Sequence, residues 1–149
     1  MILETENKKI NLVYRTKNIV KVTNLLQGKN FEELYFKASN TNDIEALSKI
    51  IFAFAEEIDS GLSAFKSSEE VYDFIDNYKM ENKKTYQDLF KEIAEDINEQ
   101  GFFIKIMTKE ELTNKIINPL GLNMEEIIKS STEKAVQNIA TEELKVSLG

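Results

Sequence analysis

The first fourteen residues, MILETENKKINLVY, alternate between apolar and polar positions around Asn7-Lys8. Alternation sends successive side chains to opposite faces of a strand. The stretch therefore predicts a short β-hairpin with Ile10, Leu12 and Tyr14 on one face. The period then lengthens. Thr16 can cap a helix carrying Ile19, Val20, Leu25 and Leu26, and Gly28 stands where a C-terminal stop belongs. Asn30-Phe-Glu-Glu is a cap signature for a short helix with Phe31, Leu34, Tyr35 and Ala38. Asn42-Asp-Ile-Glu repeats that signature and opens the most apolar stretch of the chain.

That stretch, SKIIFAFAEEID from Ser48 to Asp59, sets six apolar residues in a row between charges. On a helical projection Ile44, Leu47, Ile50, Ile51, Phe54 and Ile58 share roughly a third of the circumference, an ordinary core stripe. Phe52 lies about 140° from Leu47 and does not belong to it. Either Phe52 meets a second layer of the same domain, or it contacts a partner or another subunit.

Further on, Ser67-Ser-Glu-Glu reads as a capping box, with Glu70 reaching back. The helix it opens carries Val71, Phe74, Ile75 and Tyr78 on one face and Asp73, Asp76 and Asn77 on the other. Thr85 starts a long helix with Tyr86, Leu89, Phe90, Ile93 and Ile97 in register. Asp88, Glu92, Glu95, Asp96 and Glu99 give it an acidic outer face, and Gly101 ends it. Phe102 to Met107 is equally compatible with strand and helix. Thr108-Lys-Glu-Glu caps a helix to about Ile117. The only proline, in NPLGLN, marks a boundary. The expected organisation is thus a mainly α-helical domain with a small N-terminal β-hairpin over residues 1–117. A helical segment follows over 118–149, and Ser130 to Thr132 interrupt its apolar pattern. That segment is expected to be mobile or to wait for a partner.

Composition agrees. The chain has 149 residues with 42% apolar and 30% charged side chains, enough to bury a core without staples. One proline and five glycines favour long helices over a many-turned β architecture. The net charge of −7 is uneven: +4 over residues 1–30, −10 over 31–100 and −1 over 101–149. An acidic middle repels nucleic acid and anionic membranes. The one basic candidate patch, with Lys8, Lys9, Arg15, Lys17 and Lys21, has neither a glycine-rich loop nor interleaved aromatics. These features argue against nucleic acid as the partner. Ile50 to Ala55, the longest apolar run, is far too short to span a bilayer, so no membrane is expected. Nor does the N-terminus carry a signal peptide's long apolar region.

Histidine, cysteine and tryptophan are absent. That removes the commonest metal ligands, general bases and nucleophile activators. No phosphate-loop, dinucleotide-binding or nucleophile-elbow motif occurs. The carboxylate pairs Glu56-Glu57, Glu69-Glu70 and Glu110-Glu111 sit where capping, the helix dipole or a solvated face explains them. No catalytic, cofactor or metal residue is expected. What remains is a set of aromatics in excess of a simple core stripe: Phe52, Tyr72, Phe102 and Phe103. They are the candidate partner-binding residues.

The order of NKKINLVYRTKNI, GKNFEELYFKA, DIEALSKIIFAFAEE, SSEEVYDFIDNY and DLFKEIAEDI resembles the tail assembly chaperones of long-tailed bacteriophages and of prophages in Gram-positive bacteria. The resemblance covers roughly residues 8–107. It implies a protein that coats the long, poorly soluble tape measure protein in the host bacterial cytoplasm. The coat would be displaced as tail tube subunits arrive and would be missing from the mature virion. Self-association and a longer, frameshifted form are further features of the family. Two other readings stay open on the residues alone. One is a structural tail or head–tail component. The other is a small regulatory protein whose basic N-terminal segment touches nucleic acid.

Overall fold

The N-terminal alternation folds as a hairpin, β1 (Ile2–Glu4) and β2 (Lys9–Leu12), and Ile10, Leu12 and Tyr14 all point inward. The hydroxyl of Thr5 accepts from the Asn7 and Lys8 amides, so a side chain closes the turn where no Asn-Gly pair is available. The computed structural model of the chain describes residues 1–117. The boundary at Pro119 and the expected 118–149 segment lie outside the described residues. Among them are six helices: α1 (Thr16–Leu25), α2 (Phe31–Asn40), α3 (Ile44–Phe54), α4 (Glu70–Asn82), α5 (Tyr86–Glu99) and α6 (Lys109–Ile117). The fold is mainly α-helical with a small N-terminal sheet, as expected. None of these helices is long and apolar enough to cross a membrane.

The sheet has one more strand than the sequence pattern suggests. The helical spacing runs on to Ile58, but α3 stops at Phe54 and Ala55–Glu57 forms β3, giving the order β1-β2-β3. Leu12 pairs with Ala55 and Ile10 with Glu57, both antiparallel. Ile58 is consequently 44% exposed and is not a member of the core stripe. The physical reason is hydrogen bonding. The second edge of β2 would otherwise bury main-chain groups with no partner, and that demand overrides a local pattern neutral between helix and strand. Residues 62–64 fold back over β3, with Glu57 N–H donating to the Leu62 carbonyl at 2.7 Å and Ala64 N–H to Ala55 at 3.0 Å.

Three of the expected caps form as read. Asn30 accepts from the Glu33 amide, and Thr85 with Asp88 and Thr108 with Glu111 make reciprocal capping boxes. Two shift by a residue or more. Asp43, not Asn42, caps α3, because Asn42 is needed in the left-handed region at φ 52° to end α2. Glu70 reaches back to the Lys66 amide, and no side chain of the Ser67 box caps α4. Thr16 lies inside α1, whose first turn has no side-chain cap. At the end of α1, Gln27 takes the left-handed conformation, at φ 61°. Gly28 answers a different need: a Cβ there would meet the Leu34 side chain at 2.7 Å.

Two helices are almost wholly enclosed. From Ala46 to Glu56 no residue is exposed. The rings of Tyr14 and Phe31 meet Phe54 edge-on, at 4.9 and 5.8 Å between centroids. The second is α5, whose acidic face is not a solvated back. Asp88 is consumed by the Thr85 cap, Glu92 binds Lys84 and the Tyr78 hydroxyl, and Asp96 lies 3.3 Å from the Met1 nitrogen. Beyond them Glu99 is exposed. Burial, with the Asp96 carboxylate beside it, holds the Tyr14 phenol above its ordinary range.

Phe54→Ala removes a ring with no exposed surface and leaves Tyr14 and Phe31 facing a void. Urea unfolding should show a loss of about 3–5 kcal/mol, whereas Tyr72→Ala, on the exposed side of α4, should stay within about 0.5 kcal/mol.

Candidate functional site

The four aromatics singled out by the sequence do not converge. Tyr72 stands alone on the outer face of α4, 41% exposed. Phe52 is half-buried under α1, and the Lys21 ammonium sits 4.2 Å from its ring centroid. Its second layer is therefore α1 of the same domain. Phe103 is only 5% exposed, stacked on Phe31 at 6.3 Å and tilted against Phe36 at 5.0 Å. The expectation that Phe103 contacts a partner is corrected: it is a core residue. Gly101 turns the chain so that Phe103 fills the gap between α2 and α5, which helical spacing could not foresee. Phe102, its neighbour, stays 38% exposed beside Tyr14.

The surface that does gather apolar side chains is the α5–α6 loop, residues 101–108. Phe103 and Met107 point in, while Phe102, Ile104 and Ile106 point out, the two isoleucines 81% and 68% exposed. Both isoleucines escaped notice because Phe102 to Met107 was read as one ambiguous run. Their signal was the spacing itself, an inward pair four residues apart with apolar residues left between them.

The loop is pinned by polar contacts. The buried Asn98 amide donates to the Met107 carbonyl at 3.0 Å and accepts from the Met107 N–H at 2.8 Å, imitating one rung of a β-ladder. Ile104 N–H donates to Glu32 at 2.6 Å, and Lys105 pairs with Glu111 at 3.2 Å. The Thr108 amide and Lys105 hold the Glu111 carboxyl below its usual range. An apolar loop with this much backbone restraint is a fixed surface.

A second polar cluster lies at the α3–β3 junction. Glu56 is 7% exposed, so the expectation that it sits on a solvated face is corrected. The Arg15 guanidinium grips its carboxylate at 2.9 and 3.1 Å, and Asn18 donates to it at 3.3 Å and to the Val13 carbonyl at 2.9 Å. Arg15 and Asn18 hold the Glu56 carboxyl below its ordinary value against the opposing effect of burial. This cluster also occupies part of the basic N-terminal segment. Arg15 is committed to Glu56, Lys21 to Phe52, and Lys8 lies 5.1 Å from the Phe65 ring. Among the described residues no three carboxylates gather in a way that could hold a metal ion.

Because the Glu56 pKa is depressed on folding, its stabilisation is complete above the ordinary carboxylate range and is lost as pH falls through the lower folded value. Thermal unfolding should show a steeper acid loss for the wild type than for Glu56→Gln. At neutral pH the substitution should cost about 1–2 kcal/mol, kept small by the exposure of Arg15.

Comparison with models of protein families, with curated proteins and with solved structures finds no match to this chain.

Proposed function

We propose that the chain is a tail assembly chaperone of a long-tailed bacteriophage or prophage, which binds and solubilises the tape measure protein during tail morphogenesis. The observation that carries this reading is the pinned apolar loop, with Phe102, Ile104 and Ile106 exposed on a backbone held by Asn98 and Glu32. A fixed apolar surface suits the apolar face of a client helix, and isolated exposed residues would not need such anchoring. The sequence resemblance supplies the identity of the client. The net charge of −7 suits a coat that must keep a poorly soluble protein dispersed. The chaperone would act by binding alone, in the host bacterial cytoplasm, and leave before the virion is complete. The regulatory alternative is weakened, since Arg15, Lys21 and Lys8 have partners inside the domain.

Co-expression with a fragment of the tape measure protein tests the proposal. The wild type should raise the soluble yield of the fragment and co-purify with it. Ile104→Asp combined with Ile106→Asp should cut co-purification by about tenfold or more, the scale of a lost anchor, with an unchanged circular dichroism spectrum. A fragment that stays insoluble beside the wild type defeats the chaperone reading. A double variant that binds normally moves the interface off this loop. Mass spectrometry of purified virions separates a chaperone, which should be missing, from a structural component, which should be present.

A further inference from the structure

We propose that α1 is an exchangeable cover over a helix-binding groove on α3, and that the groove accepts a basic amphipathic helix of a partner. The inference rests on the chaperone reading only for the name of that partner.

The cover is lightly held. Of its ten residues only Asn18 and Val22 are buried, while α5 buries six. Val20 is 54% exposed, and Ile19 and Leu25 reach the core only in part. Beneath α1 the packing is loose. A cavity of about 240 Å³ separates Lys17, Asn18 and Lys21 from Ala53, Ala55 and Glu56. Each end of the helix has a place to bend. Arg15 is extended with no side-chain cap following it, and Gln27 occupies the left-handed region. Elements with few buried contacts open at lower free energy than the core around them.

What α1 covers has a defined chemistry. One end of the groove offers the Glu56 carboxylate, which would be left buried and unpaired once Arg15 departs. Further along lie the Phe52 ring, which takes the Lys21 ammonium on its face, and the small side chain of Ala53. The cover itself spells out the complementary ligand. Arg15, Ile19, Val22 and Leu26 recur at i, i+4, i+7 and i+11, one face of a helix, with Lys21 at the margin. A partner helix with a basic residue one turn before its first apolar anchor reproduces every one of these contacts. An acidic helix would place like charges against Glu56 and is excluded.

The opening is tested by hydrogen exchange on the full chain. Amides of α1 should exchange at least tenfold faster than those of α5. Arg15→Ala should raise the α1 rates roughly 3- to 10-fold, the range for losing one charged clasp, and leave α5 unchanged. A common rate for α1 and α5 in both proteins would show one cooperative unit and overturn the proposal. The groove is tested with a labelled synthetic peptide of residues 13–28, which keeps its own Arg15. It should bind the Arg15→Ala chain several-fold more tightly than the wild type, and the same peptide carrying Arg15→Glu should not bind. No saturable binding to either chain, or equal binding of the two peptides, would overturn the groove. Peptide binding without rescue of a tape measure fragment leaves the groove standing and removes that client. Rescue without α1 opening does the reverse.

Discussion

The fold is built around a helix with no side to show to water. From Ala46 to Phe54, α3 has no exposed residue, and the enclosure continues into β3 as far as Glu56. A helix that is apolar almost all round has to be covered all round, and each neighbour answers part of that demand. The hairpin supplies Tyr14 against Phe54, α2 supplies Phe31, and α1 lies over Phe52. The Val13 N–H donates to the Phe54 carbonyl at 2.9 Å, so the sheet takes over the main chain where the helix gives it up. Burial of α3 is the term the others serve. A packing defect against Phe54 therefore costs more than one against any residue on the outer faces of α1 or α4.

Enclosing a segment this completely also encloses polar groups, and these set the geometry that hydrophobicity leaves free. Glu56 follows α3 directly and cannot reach solvent without breaking β3. It is accommodated because Arg15 and Asn18 meet it at the start of α1. Asn98 does the same work at the end of α5, where its amide stands in for a missing strand and fixes Met107. Buried polar groups that are fully paired define one arrangement among many that would bury similar apolar area. In this chain they fix where α1 rests and where the apolar loop points.

How much of this was legible depends on the range of the interaction. Local signals could be read directly: the hairpin alternation, the caps at Asn30, Thr85 and Thr108, the stop at Gly101, and the stripe from Leu47 to Phe54. Interactions between distant residues could not. Nothing in Ala55-Glu-Glu announces a strand, because its reason for being one is the open edge of β2 some forty residues earlier in the chain. Glu56 looked like a solvated carboxylate because its partner, Arg15, belongs to another element. Asp96 looked like part of an acidic back because the group it faces is at Met1. The candidate aromatics divided along the same line. Phe52 was recognised as outside the stripe, which helical geometry alone decides. Phe103 went wrong because only the tertiary course of the loop decides its side.

The two surfaces attributed to partner binding follow from one imbalance. The chain has more apolar helix face than its own elements can cover well. Where the cover is a loop, the surplus appears as Phe102, Ile104 and Ile106, held open because Asn98 and Glu32 spend the backbone polarity that would otherwise pull the loop into another fold. Where the cover is a helix, the surplus appears as a thin fit, with two buried residues and a cavity under α1. Filling that cavity with larger side chains would tighten α1, and it would also remove the difference in stability between cover and core. A groove can accept a foreign helix only if its native cover is the weaker competitor. The same enclosure of α3 that folds the domain thus equips it to receive another helix, because what it requires is a complementary face, and only chain connectivity gives α1 the first claim.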